Sequence, residues 1–185
     1  EKLELAELVF DIGLLGSGLS IAKTAAESGI ILSKFYFPVM NQVLEIDKKM
    51  APLITAIIRQ ESEFFRSAVS EVGALGLMQI MPNTAKQMAK KLNLKFDERL
   101  LLTDKSYNIK LGSKFLNLML EKFEGSKVLA ISAYNAGPYN VNQWIKEFGD
   151  PREKGVDPLT WIELIPYPET RNYVMRVLTT YVFPQ

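Results

Sequence analysis

The chain has 185 residues, 48% hydrophobic and 23% charged, which suits one globular domain with a short appendage rather than a fibre or a disordered tail. Its 22 Lys and Arg nearly balance 21 Asp and Glu, so charge gives no footprint for nucleic acid or an anionic membrane. Histidine and cysteine are both absent. That excludes Ser-His-Asp and thiolate catalysis, His- or Cys-ligated metals and disulfides, and leaves Asp, Glu, Lys, Tyr, Ser and Thr for any chemistry.

Residues 1 to about 34 read as two short helices. In EKLELAELVFDIGLL, Leu3, Leu5, Ala6, Val9 and Phe10 gather near one face, and the GSG of residues 16–18 should break the helix. LSIAKTAAESG resumes it and should stop at Gly29, a natural C-terminal cap. Such a Gly-punctuated pair resembles a piece of a helical array, or equally a packing appendage. The GSG is no phosphate loop, with no strand before it and no Lys after it. With Glu1 in place of an initiator Met and no charged-then-apolar leader, a processed or trimmed product without a signal peptide is expected. No apolar run approaches the roughly 20 residues of a transmembrane segment.

Pro38 should interrupt regular structure, and the pattern beyond it is helical almost throughout. APLITAIIRQESEF, NTAKQMAKKL and YNIKLGSKFLNLMLEKFEG each read as one helix, the last closed by Gly125. SKVLAISAYNAG and YNVNQWIKEFG form a pair broken at Gly137 and Pro138, and PETRNYVMRVLTTYVF closes the chain. No run alternates well enough for a strand, so the expected class is mainly α, with a short irregular hairpin around residues 68–80.

Two acids sit on the helix that follows Pro52. On a wheel of about 100° per residue starting at Leu53, Glu61 falls near 80°, between Ile57 and Ile54 and close to Phe65. Glu63 falls near 280°, on the polar side with Arg59 and Thr55, and reads as a solvated surface acid. A carboxyl on an apolar stripe resists ionisation, and a carboxyl kept protonated near neutral pH is what a general acid requires. The stripe alone equally allows Glu61 to be a helix-end acid paired with a buried Arg. Downstream, Gly73 and Gly76 permit either a tight turn or close approach of a bulky ligand to the main chain.

RQES, then GALGLMQIMP, then AYNAGP resemble the signature of the lytic transglycosylases of the soluble, Slt type. The resemblance covers roughly residues 36–185 and implies a lysozyme-like (goose-type) catalytic domain there. Residues 1–35 would then be a helical linker resembling the end of the family's superhelical domain. By resemblance, Glu61 is the single catalytic acid, and Ser70 lies close to the N-acetyl group of the reacting sugar. Gln79 and Met81 match the sugar-binding groove. Tyr134 and Asn135 match residues lining the cleft near the acid, with the tyrosine helping to orient it. Glu163 in WIELIP and Tyr173 in ETRNYV fall in further substrate-facing stretches. Two departures stand out: Phe65 and Arg66 replace the family's usual Asn or Asp followed by Pro, and Tyr139 stands where glycine is frequent.

The mechanism implied by the resemblance needs one carboxyl, whereas most glycosidases use two. Glu61 would protonate the β-1,4 oxygen between N-acetylmuramic acid and N-acetylglucosamine, while the muramic N-acetyl carbonyl stabilises the developing cation. Glu61 would then deprotonate the same sugar's 6-hydroxyl, which closes a 1,6-anhydro ring without water. Glu71 is the nearest second acid outside the helix and reads as exposed. Ile57, Ile58, Met78 and Met81 would form a water-excluding wall. Trp144, Trp161 and Tyr139 could stack on sugar rings, with core packing the default for Trp144 and the two readings even for Trp161. The implied partner is peptidoglycan in the periplasm or cell envelope, with no cofactor and no metal. The rival readings are a muramidase-type hydrolase, a catalytically silent peptidoglycan-binding module, and a purely helical interaction protein.

Overall fold

The computed structural model describes residues 2–36, 38 and 40–182. Glu1 of the first expected helix and Phe183 of the last lie outside the described residues. The N-terminal helices are α1 (Lys2–Asp11), α2 (Leu15–Glu27), α3 (Ser33–Tyr36) and α4 (Asn41–Asp47). The middle ones are α5 (Ala51–Ser62), α6 (Pro82–Lys91), α7 (Leu100–Thr103) and α8 (Lys105–Lys122). The chain closes with α9 (Lys127–Ala136), α10 (Pro138–Phe148), α11 (Pro158–Glu163) and α12 (Pro168–Val182). The only β structure among the described residues is a pair of isolated bridges, Val69 to Leu75 and Leu75 to Ile80, where the irregular hairpin was expected.

The first two helices meet at Ile12–Leu14, not at residues 16–18. Gly13, with φ of 78°, makes the turn, while Gly16 and Gly18 lie inside α2. The glycines of GSG serve packing instead. A Cβ on Gly16 would come within 2.8 Å of the Glu63 carbonyl oxygen. Gly29 caps α2 as expected: its N–H donates to Ala26 and that of Ile30 to Ala25, the two bonds of a Schellman motif. Ala6, Ala22 and Phe35 form a small core of their own, with Phe10 edge-on to Phe35.

Helix α5 runs through the main core. Leu53, Ile54, Ala56, Ile57 and Ile58 are all at most 1% exposed, and burial of each Leu or Ile contributes roughly 1.5–3 kcal/mol. Thr55, placed on the polar side by the wheel, is buried as well, and its hydroxyl has no partner. A helix enclosed on all sides has no polar face for it to occupy. The helix ends in two consecutive left-handed residues, Glu63 (φ 49°) and Phe64 (φ 68°). Each costs roughly 1–3 kcal/mol unless its surroundings enforce it. Here Phe64 is buried and Glu63 pairs with Lys23 of α2, so Glu63 is a partnered acid and not simply a solvated one.

The loop after α5 is held from three helices. Ser62 of α5 donates to the Leu77 carbonyl at 2.8 Å, and Tyr134 of α9 to the Met78 carbonyl at 2.8 Å. Buried Asn108 of α8 accepts from the Met78 N–H and donates to the Leu75 and Leu101 carbonyls, each at 2.9 Å. The glycines allow this docking: a Cβ on Gly76 would lie 2.2 Å from the Leu101 carbonyl, and one on Gly112 2.5 Å from the Met78 sulfur. Gly76 thus packs against α7 and α8, whereas a Cβ on Gly73 would meet nothing within 4 Å. Trp144 and Trp161 are both core residues, 4% and 1% exposed, with rings 6.4 Å apart. The Trp161 indole is satisfied by the Gly149 carbonyl, so neither tryptophan is a sugar platform.

Candidate active site

Glu61 sits in the last turn of α5, where the helix emerges from the core beside α12. The Tyr173 hydroxyl donates to its Oε1 at 2.7 Å. Burial is the largest influence on the carboxyl and pushes its pKa from 4.5 to about 7. The Tyr173 bond pulls in the opposite direction, and the nearby Glu169 charge adds to the rise. The partner is a phenol, not the buried Arg of the alternative reading. Burial also drives the Tyr134 and Tyr173 phenols well above their usual range, with the Glu61 charge next in effect. Both are therefore hydrogen-bond donors at neutral pH.

A cavity of about 390 Å³ opens on Glu61, lined also by Gln60, Ser70, Gln79, Asn135, Glu169, Asn172, Tyr173 and Arg176. A second, of about 410 Å³, shares Gln79 and Asn135 with it and extends past Met81, Thr84, Tyr134 and Pro138. The two adjoin at Gln79 and Asn135 to form a groove whose lining beside the Glu61 carboxyl is mostly polar. The Ser70 hydroxyl accepts from the Ala74 N–H at 2.9 Å, bracing its turn at the groove wall. Gln79 donates to the Ala68 and Gly76 carbonyls, and Asn135 accepts from Thr170 at 2.7 Å. Ser70, Gln79 and Asn135 are thus fixed by bonds to the scaffold.

Of the eight residues singled out in the sequence, seven line this groove. Glu163 does not: it is exposed at the end of α11, 3.9 Å from Arg171. The tyrosine hydrogen-bonded to Glu61 is Tyr173, while the Tyr134 hydroxyl donates to the Met78 carbonyl. Ile57, Ile58 and Met78 are fully buried behind the carboxyl and give the groove no wall; only Met81, 43% exposed, reaches it. Glu71 is exposed and off the groove, and Tyr139 is 73% exposed outside both cavities.

The sequence reading missed Gln60, Glu169, Asn172 and Arg176. A signal for three of them was present, since Glu169, Asn172, Tyr173 and Arg176 recur at i, i+3, i+4 and i+7 on one helix face. Glu169 is also the second carboxyl near Glu61 that the sequence did not offer.

Comparison with known proteins agrees with this geometry. Residues 39–156 match the family described as "Transglycosylase SLT domain". The soluble lytic murein transglycosylase of Escherichia coli K12 is 38% identical over 124 residues, 66% of this chain and 19% of that protein. A putative soluble lytic murein transglycosylase of Haemophilus influenzae is 37% identical over 144 residues, 77% of this chain and 23% of that protein. This chain therefore spans about a fifth of the length of these two relatives. Among solved structures, the 70 kDa soluble lytic transglycosylase of E. coli superimposes with a TM-score of 0.85 at 30% identity, over 98% of this chain and 29% of that one. An inactive mutant of lytic transglycosylase Slt from Pseudomonas aeruginosa gives 0.82 at 34%, over 96% and 28%. The fold is accordingly mainly α and lysozyme-like, and the chain belongs to the transglycosylase SLT domain family.

Proposed function

We propose that this chain is the catalytic part of a peptidoglycan lytic transglycosylase. It would cleave the β-1,4 bond between N-acetylmuramic acid and N-acetylglucosamine and leave 1,6-anhydromuramic ends. The observation that carries the reading is Glu61, a carboxyl with a pKa of about 7 held on Tyr173 at the wall of a polar groove. Such a group is half protonated near neutral pH and serves as acid and then as base. Protonation of the glycosidic oxygen by Glu61 releases the N-acetylglucosamine hydroxyl. The carboxylate so formed takes the proton of the muramic 6-hydroxyl as that oxygen closes on the anomeric carbon, and Glu61 is regenerated. No water is consumed. A well-placed internal nucleophile competes because effective molarities reach roughly 10⁵–10⁸ M.

In this reading Ser70 faces the N-acetyl group, Gln79, Met81 and Asn135 hold sugars along the groove, and Tyr134 and Tyr173 position the loop and the acid. Glu163, on the surface beside Arg171, would meet substrate only outside the two cavities. Glu169 acts through its charge on Glu61. Residues 1–35 serve as the linker and 36–185 as the catalytic domain, working in the periplasm or cell envelope. Among the described residues no helix is long and apolar enough to cross a membrane.

Mass spectrometry of fragments released from purified peptidoglycan tests the reading, with Glu61→Gln as control. Ends one water lighter than a hydrolysed product, absent with the variant, are expected. Reducing ends would instead mean hydrolysis, with Glu169 the candidate base.

A further inference from the structure

The left-handed turn behind Glu61 is gripped from outside the catalytic groove. Along α2, Gly16, Leu19 and Lys23 recur at i, i+3 and i+7 and share one face. Gly16 lies so close to the turn that a Cβ there would stand 2.8 Å from the Glu63 carbonyl oxygen and 3.1 Å from the Phe65 ring. Lys23 pairs with the Glu63 carboxylate. Leu19 between them is fully buried in the main core, so α2 cannot withdraw from the turn without pulling that side chain out. On the other side, buried Phe64 and the Ser62 bond to Leu77 hold the turn against the loop.

We propose that this face of α2 is a positioning clamp for the general acid: Gly16 and Lys23 fix Glu63 in its left-handed conformation and thereby set Glu61, two residues earlier, on Tyr173. The first helices of the chain are then part of the catalytic apparatus, though none of their residues lines the Glu61 cavity. The proposal rests on the function assigned to Glu61 above. Gly16, Lys23 and Glu63 are positioning residues, since each acts through the turn.

Two alanine substitutions on the same helix separate a clamp from mere packing. Gly18 is the control, because a Cβ there meets only Phe10 and Val9 side chains at 3.7 and 3.8 Å, ordinary contact. Gly16→Ala must displace the Glu63 carbonyl. Both variants of the full chain are compared with wild type by thermal melting, by carboxyl ¹³C titration of Glu61, and by kcat and KM for anhydro-end release from soluble glycan strands. Gly18→Ala is expected to match wild type. Gly16→Ala is expected to melt as a folded protein, to titrate Glu61 at higher pH as the Tyr173 bond weakens, and to lose about 10- to 100-fold in kcat at unchanged KM. Equal behaviour of the two variants in titration and kcat overturns the clamp. Should Gly16→Ala not fold, the charge exchange decides: Lys23→Glu lowers kcat and the double change Lys23→Glu/Glu63→Lys restores it, and a double variant no better than the single one overturns the clamp. If wild type releases no anhydro ends, the proposed function falls, while the Glu61 titration still decides the clamp.

Discussion

The Tyr173 hydroxyl reaches Oε1 of Glu61 at 2.7 Å across 112 residues of chain. This bond joins α12 to the end of α5 and opposes the effect of burial on the carboxyl. Glu61 is thereby held in place while about half of it stays protonated near pH 7, the form from which a carboxyl can give a proton.

Tyr173→Phe removes the donor and with it the influence that lowers the Glu61 pKa. The carboxyl should then titrate above its present value of about 7, so the alkaline limb of the rate profile moves to higher pH. Loss of one hydrogen bond to a charged group is worth roughly 1.5–3 kcal/mol, which sets a fall in kcat of about tenfold or more. A pH profile of kcat checks both expectations; an unmoved alkaline limb would remove Tyr173 from this role.

Glu169→Gln should act in the opposite direction. Its negative charge raises the Glu61 pKa, so neutralising it moves the alkaline limb to lower pH. Glu169 is exposed, and added salt should shift wild type the same way by screening that charge. Kinetics at low and high ionic strength, with and without the substitution, test this.

The acid costs stability in return for function. Its folded pKa is about 7 against 4.5, so its neutral form is the one the fold prefers. That preference is fully expressed below about pH 4.5 and lost as the pH rises through about 7. At 1.36 kcal/mol per pH unit the penalty at pH 9 is on the order of 3 kcal/mol. Glu61→Gln should therefore exceed wild type in urea stability at pH 9 and match it near pH 4. Equal gaps at both pH values would mean the carboxyl is not desolvated.

Asn108 supports the groove from beneath. Its amide satisfies three main-chain groups of residues 75, 78 and 101, and it is 1% exposed. Asn108→Ala leaves those groups buried without partners, at roughly 1–3 kcal/mol each before relaxation. Asn108→Asp should not rescue it, because a carboxylate cannot donate to the two carbonyls. Urea melts of both variants, with release of anhydro ends as the second readout, test this.

Local pattern and local chemistry were legible in the sequence. The long helices, the stops at Gly29, Gly125 and Gly137, and the place of Glu61 on the apolar stripe of α5 all follow from residue periods and backbone preferences within about twenty neighbours. So did the chemistry available, because a chain without His or Cys must work with carboxyls and hydroxyls. What tertiary structure decided depends on segments far apart in the chain. The break in the first helix falls at Gly13, while Gly16 lies inside α2 against the Glu63 carbonyl. Trp161 went to the core because Gly149 offered its indole an acceptor. Glu169, which no sequence motif singled out, lines the Glu61 cavity and Glu163, six residues earlier, does not, because only Glu169 lies on the α12 face that turns to Glu61. A spacing states which residues share a face of one helix; which face meets another element is fixed only when both are packed. The sequence alone therefore singled out Glu61 as the candidate acid, and the packed fold supplied its tyrosine partner, its neighbouring charge and the helix packed against the turn behind it.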